Sequence, residues 1–215
     1  MDYSLFWLLG HISTFIPLVP ILLSLILFKR FIPTQRRLVY VVIMAFLADI
    51  TAYIFWQTWQ NNNPVYHVYA VVEFYLILRI FKFELRSFFS NTKFMIVFAT
   101  FLVYAIINAL AWQNIFTFNS NVTTASAFLM LVLVFIYFFS LLQKEKLEPL
   151  GRIPIFWISA GLMLYFSTNL VLFFISKNEV FALENGFTIW SVHAIVNIIL
   201  FCFYTYALWI QPKTE

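Results

Sequence analysis

Asn62-Asn63-Pro64-Val65-Tyr66-His67-Val68-Tyr69-Ala70-Val71-Val72-Glu73-Phe74-Tyr75-Leu76-Ile77-Leu78-Arg79-Ile80-Phe81-Lys82 is the stretch whose reading decides the fold. Pro64 suits the first turn of a helix, where its missing N–H has no intrahelical partner to lose. Arg79 and Lys82 close the run. Nearly everything between is apolar or aromatic, and about 20 such residues in a helix cross the roughly 30 Å of a bilayer's hydrocarbon core. Glu73 then falls roughly 14 Å below the entry at Pro64, at about 1.5 Å of rise per residue. An ionisable group at that depth costs several kcal/mol unless it is paired, neutralised or hydrated. Other polar residues must therefore meet it.

The rest of the chain is written for the same solvent. Its 215 residues are 63% hydrophobic and 10% charged, with 28 Phe, more apolar surface than a soluble domain of this length buries. Seven apolar segments emerge, at about 5–28, 38–60, 64–81, 94–112, 118–141, 154–176 and 187–209. The expected fold is all-α: one polytopic membrane domain over residues 1–215 with seven transmembrane helices. The N-terminal run follows Asp2 with no Lys or Arg before it, and it reads as the first span rather than a cleavable signal. Pro17 and Pro20 inside it should kink the helix or open its ladder. Cys202 stands alone, which excludes an internal disulfide and a cysteine-rich metal site. No connection is long enough to fold by itself. No internal repeat marks the inverted halves of a secondary transporter.

Charge supplies the orientation. Lys29, Arg30, Arg36, Arg37, Arg79, Lys82, Arg86, Lys93, Lys144, Lys146, Arg152 and Lys213 fall on one side of the drawn spans, and Lys177 on the other. The positive-inside rule then predicts the N-terminus outside and the C-terminus in the cytoplasm, in the cytoplasmic (inner) membrane as a multi-pass protein. The net charge of +4 is spent on topology, so no nucleic-acid partner is expected. Trp7, Trp56, Trp59, Trp112, Trp190 and Trp209 fall near span ends, as an interfacial aromatic belt requires.

Counting inward from the outer ends puts His11, His67, His193, Asn108 and Asn169 in the outer half of the bilayer, and Asp49, Glu73 and Asn197 near the midplane. Tyr66, Tyr69 and Glu73 share one helix face at spacings of three and four, whereas His67 is displaced by about 120° from Glu73. Trp190, His193 and Asn197 form a second stripe, and Tyr165 with Asn169 a third. These stripes are expected to face inward and line a polar cavity reached from outside, with Glu73, His67, His193, Asn197, Asn169, Asp49, Tyr69 and Tyr165 as its ligand-binding residues. The competing reading is interhelical hydrogen-bond glue, at about 1 kcal/mol a residue, and it applies first to Asn108, Ser167 and Asn169. Glu73 resists it, because Gln would serve as glue at lower cost.

Among cofactor chemistries, a retinal site fails, since residues 187–209 hold no lysine for a Schiff base. Haem would need histidine pairs such as His67 and His193 and has no further signature. Seven spans with an acid and histidines also resemble, in part, the superfamily of zinc-dependent lipid hydrolases that includes alkaline ceramidases and adiponectin-receptor-like proteins. Their late helix carries His-x-x-x-His, where this chain reads His193-Ala-Ile-Val-Asn197. On that resemblance zinc would sit on His11, His67 and His193 with Glu73. A resemblance over nearly the whole chain is carried by Ile155-Phe-Trp-Ile-Ser-Ala-Gly-Leu-Met-Leu-Tyr-Phe-Ser167, Trp190-Ser-Val-His193 leading to Asn197-Ile-Ile-Leu, the closing Tyr-Ala-Leu-Trp209, and His67-x-Tyr69-x-x-x-Glu73. These are similar to a group of uncharacterised seven-span bacterial membrane proteins whose members often accompany sensor histidine kinases, which implies a signalling role. The expected function is a non-enzymatic sensor or accessory protein that binds a small amphiphile or lipid, without a cofactor, with membrane lipids and a membrane histidine kinase or other signalling protein as partners. The alternatives are a metal-dependent intramembrane lipid hydrolase, with zinc, and a proton-coupled transporter.

Overall fold

The protein is described here by a computed structural model covering residues 3–143, 149–175 and 179–210. Lys144, Lys146, Lys177 and Lys213, which entered the charge argument, lie outside the described residues. The helices are α1 (Tyr3–Phe15), α2 (Leu18–Leu27), α3 (Pro33–Trp59), α4 (Asn63–Glu84), α5 (Asn91–Ile107), α6 (Ser120–Leu142), α7 (Pro154–Ile175) and α8 (Glu179–Trp209). With α1 and α2 together forming one span, Ser4–Arg30, the described residues make seven helical segments long and apolar enough to cross a membrane.

The interruption between α1 and α2 falls where the prolines are. Pro17 cannot donate to the carbonyl of Ser13, and Pro20 cannot donate to that of Ile16. The chain responds by tightening: Val19 N–H donates to Ile16 O at 3.0 Å, a three-residue bond in place of the four-residue one. The second span starts at Pro33, earlier than its apolar run suggests. Ile32 before the proline is extended, as the proline ring demands, and Pro33 takes the first helical turn. Arg36 and Arg37 do not end the helix. Their guanidinium groups lie over the rings of Phe28 and Phe83, 5.7 and 4.1 Å from the centroids, with their apolar stems along the bundle.

That end of the bundle is tied by Gln35, which is fully buried. Its side-chain amide donates to Ala207 O at 2.9 Å and Ile210 O at 2.7 Å, and its Oε1 accepts from Ile32 N–H at 3.1 Å. Two of the carbonyls that a helix C-terminus leaves unpaired are thus satisfied by the start of another helix. Thr34 Oγ1 donates to Glu84 Oε1 at the same end, joining α3 to α4.

Packing neighbours run in a ring: the α1–α2 span against α3, α3 against α4, α4 against α6, α6 against α7, α7 against α8, and α8 back against α1 and α2. Helix α5 packs on the outside of α4, with Phe101 stacked on Phe74 at 3.9 Å between centroids. Helices α7 and α8 approach closely at Gly161, where an added Cβ would stand 2.8 Å from Phe203 Cβ. The apolar core fills the half of the ring nearer Gln35, with Leu38, Phe74, Ile77, Leu78, Phe81, Ile158, Leu162 and Leu208 fully buried. Large apolar side chains such as Leu25, Ile26, Leu110 and Leu142 are exposed outward, the pattern of a bundle whose solvent is hydrocarbon.

Candidate functional site: a polar cavity inside the helix ring

The other half of the ring is hollow. A cavity of about 600 Å³ runs inward from the end that carries the N-terminus of α1, lined by α1, α3, α4, α6, α7 and α8. That volume is of the size that holds small-molecule ligands. None of its lining residues comes from α5.

Its floor is set by helix rise. Glu73 is ten residues from Asn63 at the start of α4, and Asp49 is ten residues from Trp59 at the end of α3. At about 1.5 Å per residue both carboxyl groups lie roughly 15 Å in, at one level, from adjacent helices. Both line the cavity. Tyr69 donates its hydroxyl to Glu73 Oε1 at 3.2 Å, one turn apart on α4 as the i, i+4 spacing allows. Tyr165 of α7 and Asn197 of α8 complete this level.

Asn197 also answers the broken first span. Its Nδ2–H donates to Ser13 Oγ at 2.9 Å and leans toward Ser13 O at 3.5 Å, the carbonyl that Pro17 leaves without its usual donor. Ser13 and Thr14 stand on the cavity wall with Phe6 and Gly10, on one face of α1. Above Asn197, His193 Nδ1–H donates to Asn169 Oδ1 at 2.8 Å, a bond between α8 and α7. With the proton at Nδ1, the Nε2 of a neutral ring presents a lone pair. Tyr165, Phe173 and Trp190 surround that ring at 5.9, 5.9 and 5.6 Å between centroids. Asn169 is fully buried behind His193, and its Nδ2 has no partner among the described residues.

Compared with models of known families, with curated proteins and with solved structures, the chain matches none of them. The site is therefore read from its own chemistry.

Of the residues expected at the site, Asp49, Tyr69, Glu73, Tyr165, His193 and Asn197 line one cavity, and Asn169 supports it from behind. His67 does not line it. Its Nε2–H donates to Thr117 O at 3.1 Å, on the connection between α5 and α6. The 120° offset from Glu73 along α4 is the physical reason, since one helix face cannot serve both directions. Asn61 and Asn63 donate to Phe116 O at 2.8 and 3.0 Å beside it. Together they pin a connection from which Phe118 reaches over the cavity, edge-on to Phe173 and Trp190 at 5.3 and 5.4 Å. His11 donates Nδ1–H to Trp7 O at 2.7 Å on its own helix and also stands off the cavity. His11, His67 and His193 thus do not converge, and among the described residues no three His, Cys, Asp or Glu side chains gather around a common metal position.

Sequence reasoning missed Phe118, Ser13 and Ser126. Phe118 lies in a connection, where no helical period assigns a face. Ser13 shares one face of α1 with Phe6, Gly10 and Thr14, at spacings of three and four residues. Ser126 is 3% exposed, lines the cavity, and its hydroxyl has no partner among the described residues. Asn108 and Asn121, by contrast, are fastenings. Asn121 Nδ2–H donates to Asn108 Oδ1 at 3.0 Å, and Gln113 bridges Asn108, Asn121 and Ser120 at 3.2, 3.0 and 2.8 Å.

Proposed function

We propose that this chain is a multi-pass protein of the cytoplasmic membrane, N-terminus outside and C-terminus in the cytoplasm, that binds a small amphiphile or lipid in the cavity and passes its occupancy to a partner. One observation carries the reading: a cavity of about 600 Å³ inside a ring of helices, with two carboxyl groups at its floor and aromatic walls above them. An apolar body can lie against Trp56, Phe118, Phe173 and Trp190 while a polar head reaches Glu73, Asp49, Asn197 and His193. A buried polar floor is costly to keep unless something hydrogen-bonds to it. The orientation rests on the basic residues gathered at the Gln35 end, which meet the cytoplasmic face under the positive-inside rule.

Signalling through a membrane partner, a histidine kinase among the candidates, would use that basic end, the main charged surface of the bundle. The same surface suits anionic lipid headgroups.

The test is the material that travels with the protein. Extracted in a mild maltoside detergent and analysed by native mass spectrometry, the wild type should carry a bound amphiphile at a stoichiometry near one. Ser126→Phe and Ala70→Phe, which project bulk into the cavity, should lose it while remaining folded. An amphiphile retained equally by both filled-cavity variants would refute the reading.

A further inference from the structure

We infer that the amphiphile received by this cavity carries an organic ammonium group at its polar end. The inference rests on the amphiphile-binding reading and narrows its ligand class. Four features of the cavity converge on it.

The first is charge. Asp49 and Glu73 face the same space, and none of the described lining residues is Lys or Arg. The arginines and lysines of the described chain stand at the far end of the bundle or on its outside, so no cationic side chain in the described cavity wall faces the two acids. An anionic head would oppose ionisation of either carboxyl in a low-dielectric enclosure, and a neutral head would leave their charged forms uncompensated. A monocation beside them stabilises the charged forms.

The second is hydrogen-bond polarity. At the floor the side-chain N–H groups are committed, Asn197 Nδ2 to Ser13 and His193 Nδ1 to Asn169, while the indole N–H groups of Trp56 and Trp190 and the amide of Asn62 belong to the wall above. Beside the hydroxyls of Tyr66 and Tyr165, which can donate or accept, what the floor offers is acceptor: the carboxyl oxygens, of which Glu73 Oε1 takes one bond from Tyr69, the Oδ1 of Asn197, and the Nε2 of a neutral His193. Ser126 Oγ, buried and without a partner among the described residues, is free to rotate and accept as well. A set of acceptors selects a donor-rich head, and an alkylammonium offers N–H donors and no acceptor.

The third is the wall. Tyr66, Tyr69 and Tyr165 from two helices, with Trp56 and Trp190 above, put aromatic rings around the acidic level. Aromatic faces attract organic cations, most strongly where water is excluded. The fourth feature separates an organic cation from a metal ion. Calcium takes six to eight oxygen ligands and transition metals take clustered His, Cys or carboxylate, whereas among the described residues no three such side chains gather.

The test uses the full-length protein in maltoside micelles, washed until native mass spectrometry shows no bound amphiphile, and three probes with one tail: hexylammonium chloride, hexanol and sodium hexanoate. Each is titrated calorimetrically, with empty-micelle heats subtracted. Hexylammonium should bind saturably at least about tenfold more tightly than hexanol, and hexanoate should show no saturable binding. Glu73→Gln and Asp49→Asn should each bring hexylammonium to the hexanol level while hexanol binding persists, which also reports a folded cavity. Equal binding of hexylammonium and hexanol by the wild type, or a preference for hexanoate, overturns the inference and leaves amphiphile binding standing. Saturable binding of none of the three overturns both. Should one variant fail to fold, the other and the wild-type comparison decide.

Discussion

Gly161→Ala should separate α7 from α8, and the structure sets the size of the effect. The new Cβ would stand 2.8 Å from Phe203 Cβ, 3.1 Å from Phe203 Cγ and 3.2 Å from Leu200 Cδ1. Carbon atoms rest at roughly 3.5–4.0 Å, so the helices must part by about 0.7 Å or more at this level. A rotamer change cannot relieve the tightest contact, because Phe203 Cβ is fixed by its backbone. Overpacking of this kind costs about 1–3 kcal/mol. Alanine also gains up to about 1 kcal/mol over glycine in helix propensity, which acts in the opposite sense. Gly10→Ala supplies the correction: it too lies mid-helix, but nothing stands within 4 Å of its added Cβ. Propensity cancels between the two variants, and Gly161→Ala should be the less stable by about 1–3 kcal/mol. Reversible unfolding in mixed dodecyl sulfate and maltoside micelles, followed by circular dichroism, measures the difference. Equal stabilities within about 0.3 kcal/mol would refute the close approach of α7 and α8 that holds His193 against Asn169.

Further outcomes follow from the same geometry. Gln35→Met keeps the side-chain volume but removes the amide that serves Ala207 O and Ile210 O, and should cost about 2–3 kcal/mol in the same unfolding assay, at about 1 kcal/mol per lost bond. His67→Ala should leave the cavity floor intact but loosen the α5–α6 connection, read as faster amide exchange over residues 113–118 with unchanged exchange around Glu73. Reporter fusions after Arg37, Ser90, Lys146 and the C-terminus should all signal cytoplasm, and an external signal from any of them would redraw the spans. Chelation with EDTA should leave the unfolding midpoint where it was. Stoichiometric zinc lost in both His67→Ala and His193→Ala would bring the hydrolase reading forward instead.

Much of this molecule is a local property of its chain. Whether a segment such as Asn63–Glu84 enters a membrane depends on the summed transfer free energy of its own residues, and that sum needs no knowledge of neighbours. Depth is equally local. A fixed rise per residue puts Asp49 and Glu73 at one level before any contact is known. The face shared by Tyr66, Tyr69 and Glu73, and the divergence of His67 from it, follow from the angular step of the helix. The place of the first span's break was written in Pro17 and Pro20.

Only the tertiary structure decided which helices enclose the cavity. Order around a ring depends on how side-chain ridges of distant segments fit, so nothing within α5 announces that it packs outside α4 and lends no residue to the site. The partners of polar atoms are non-local for the same reason: Asn197 meets Ser13 across 184 residues of chain, and Gln35 meets Ile210 across 175. A connection without helical period cannot aim a side chain by spacing, which is why Phe118 came into view only with the fold. Sequence determined how deep each polar group lies, because depth adds up along one helix. Packing between helices decided which of those groups face each other, because that requires surfaces far apart in the chain to fit.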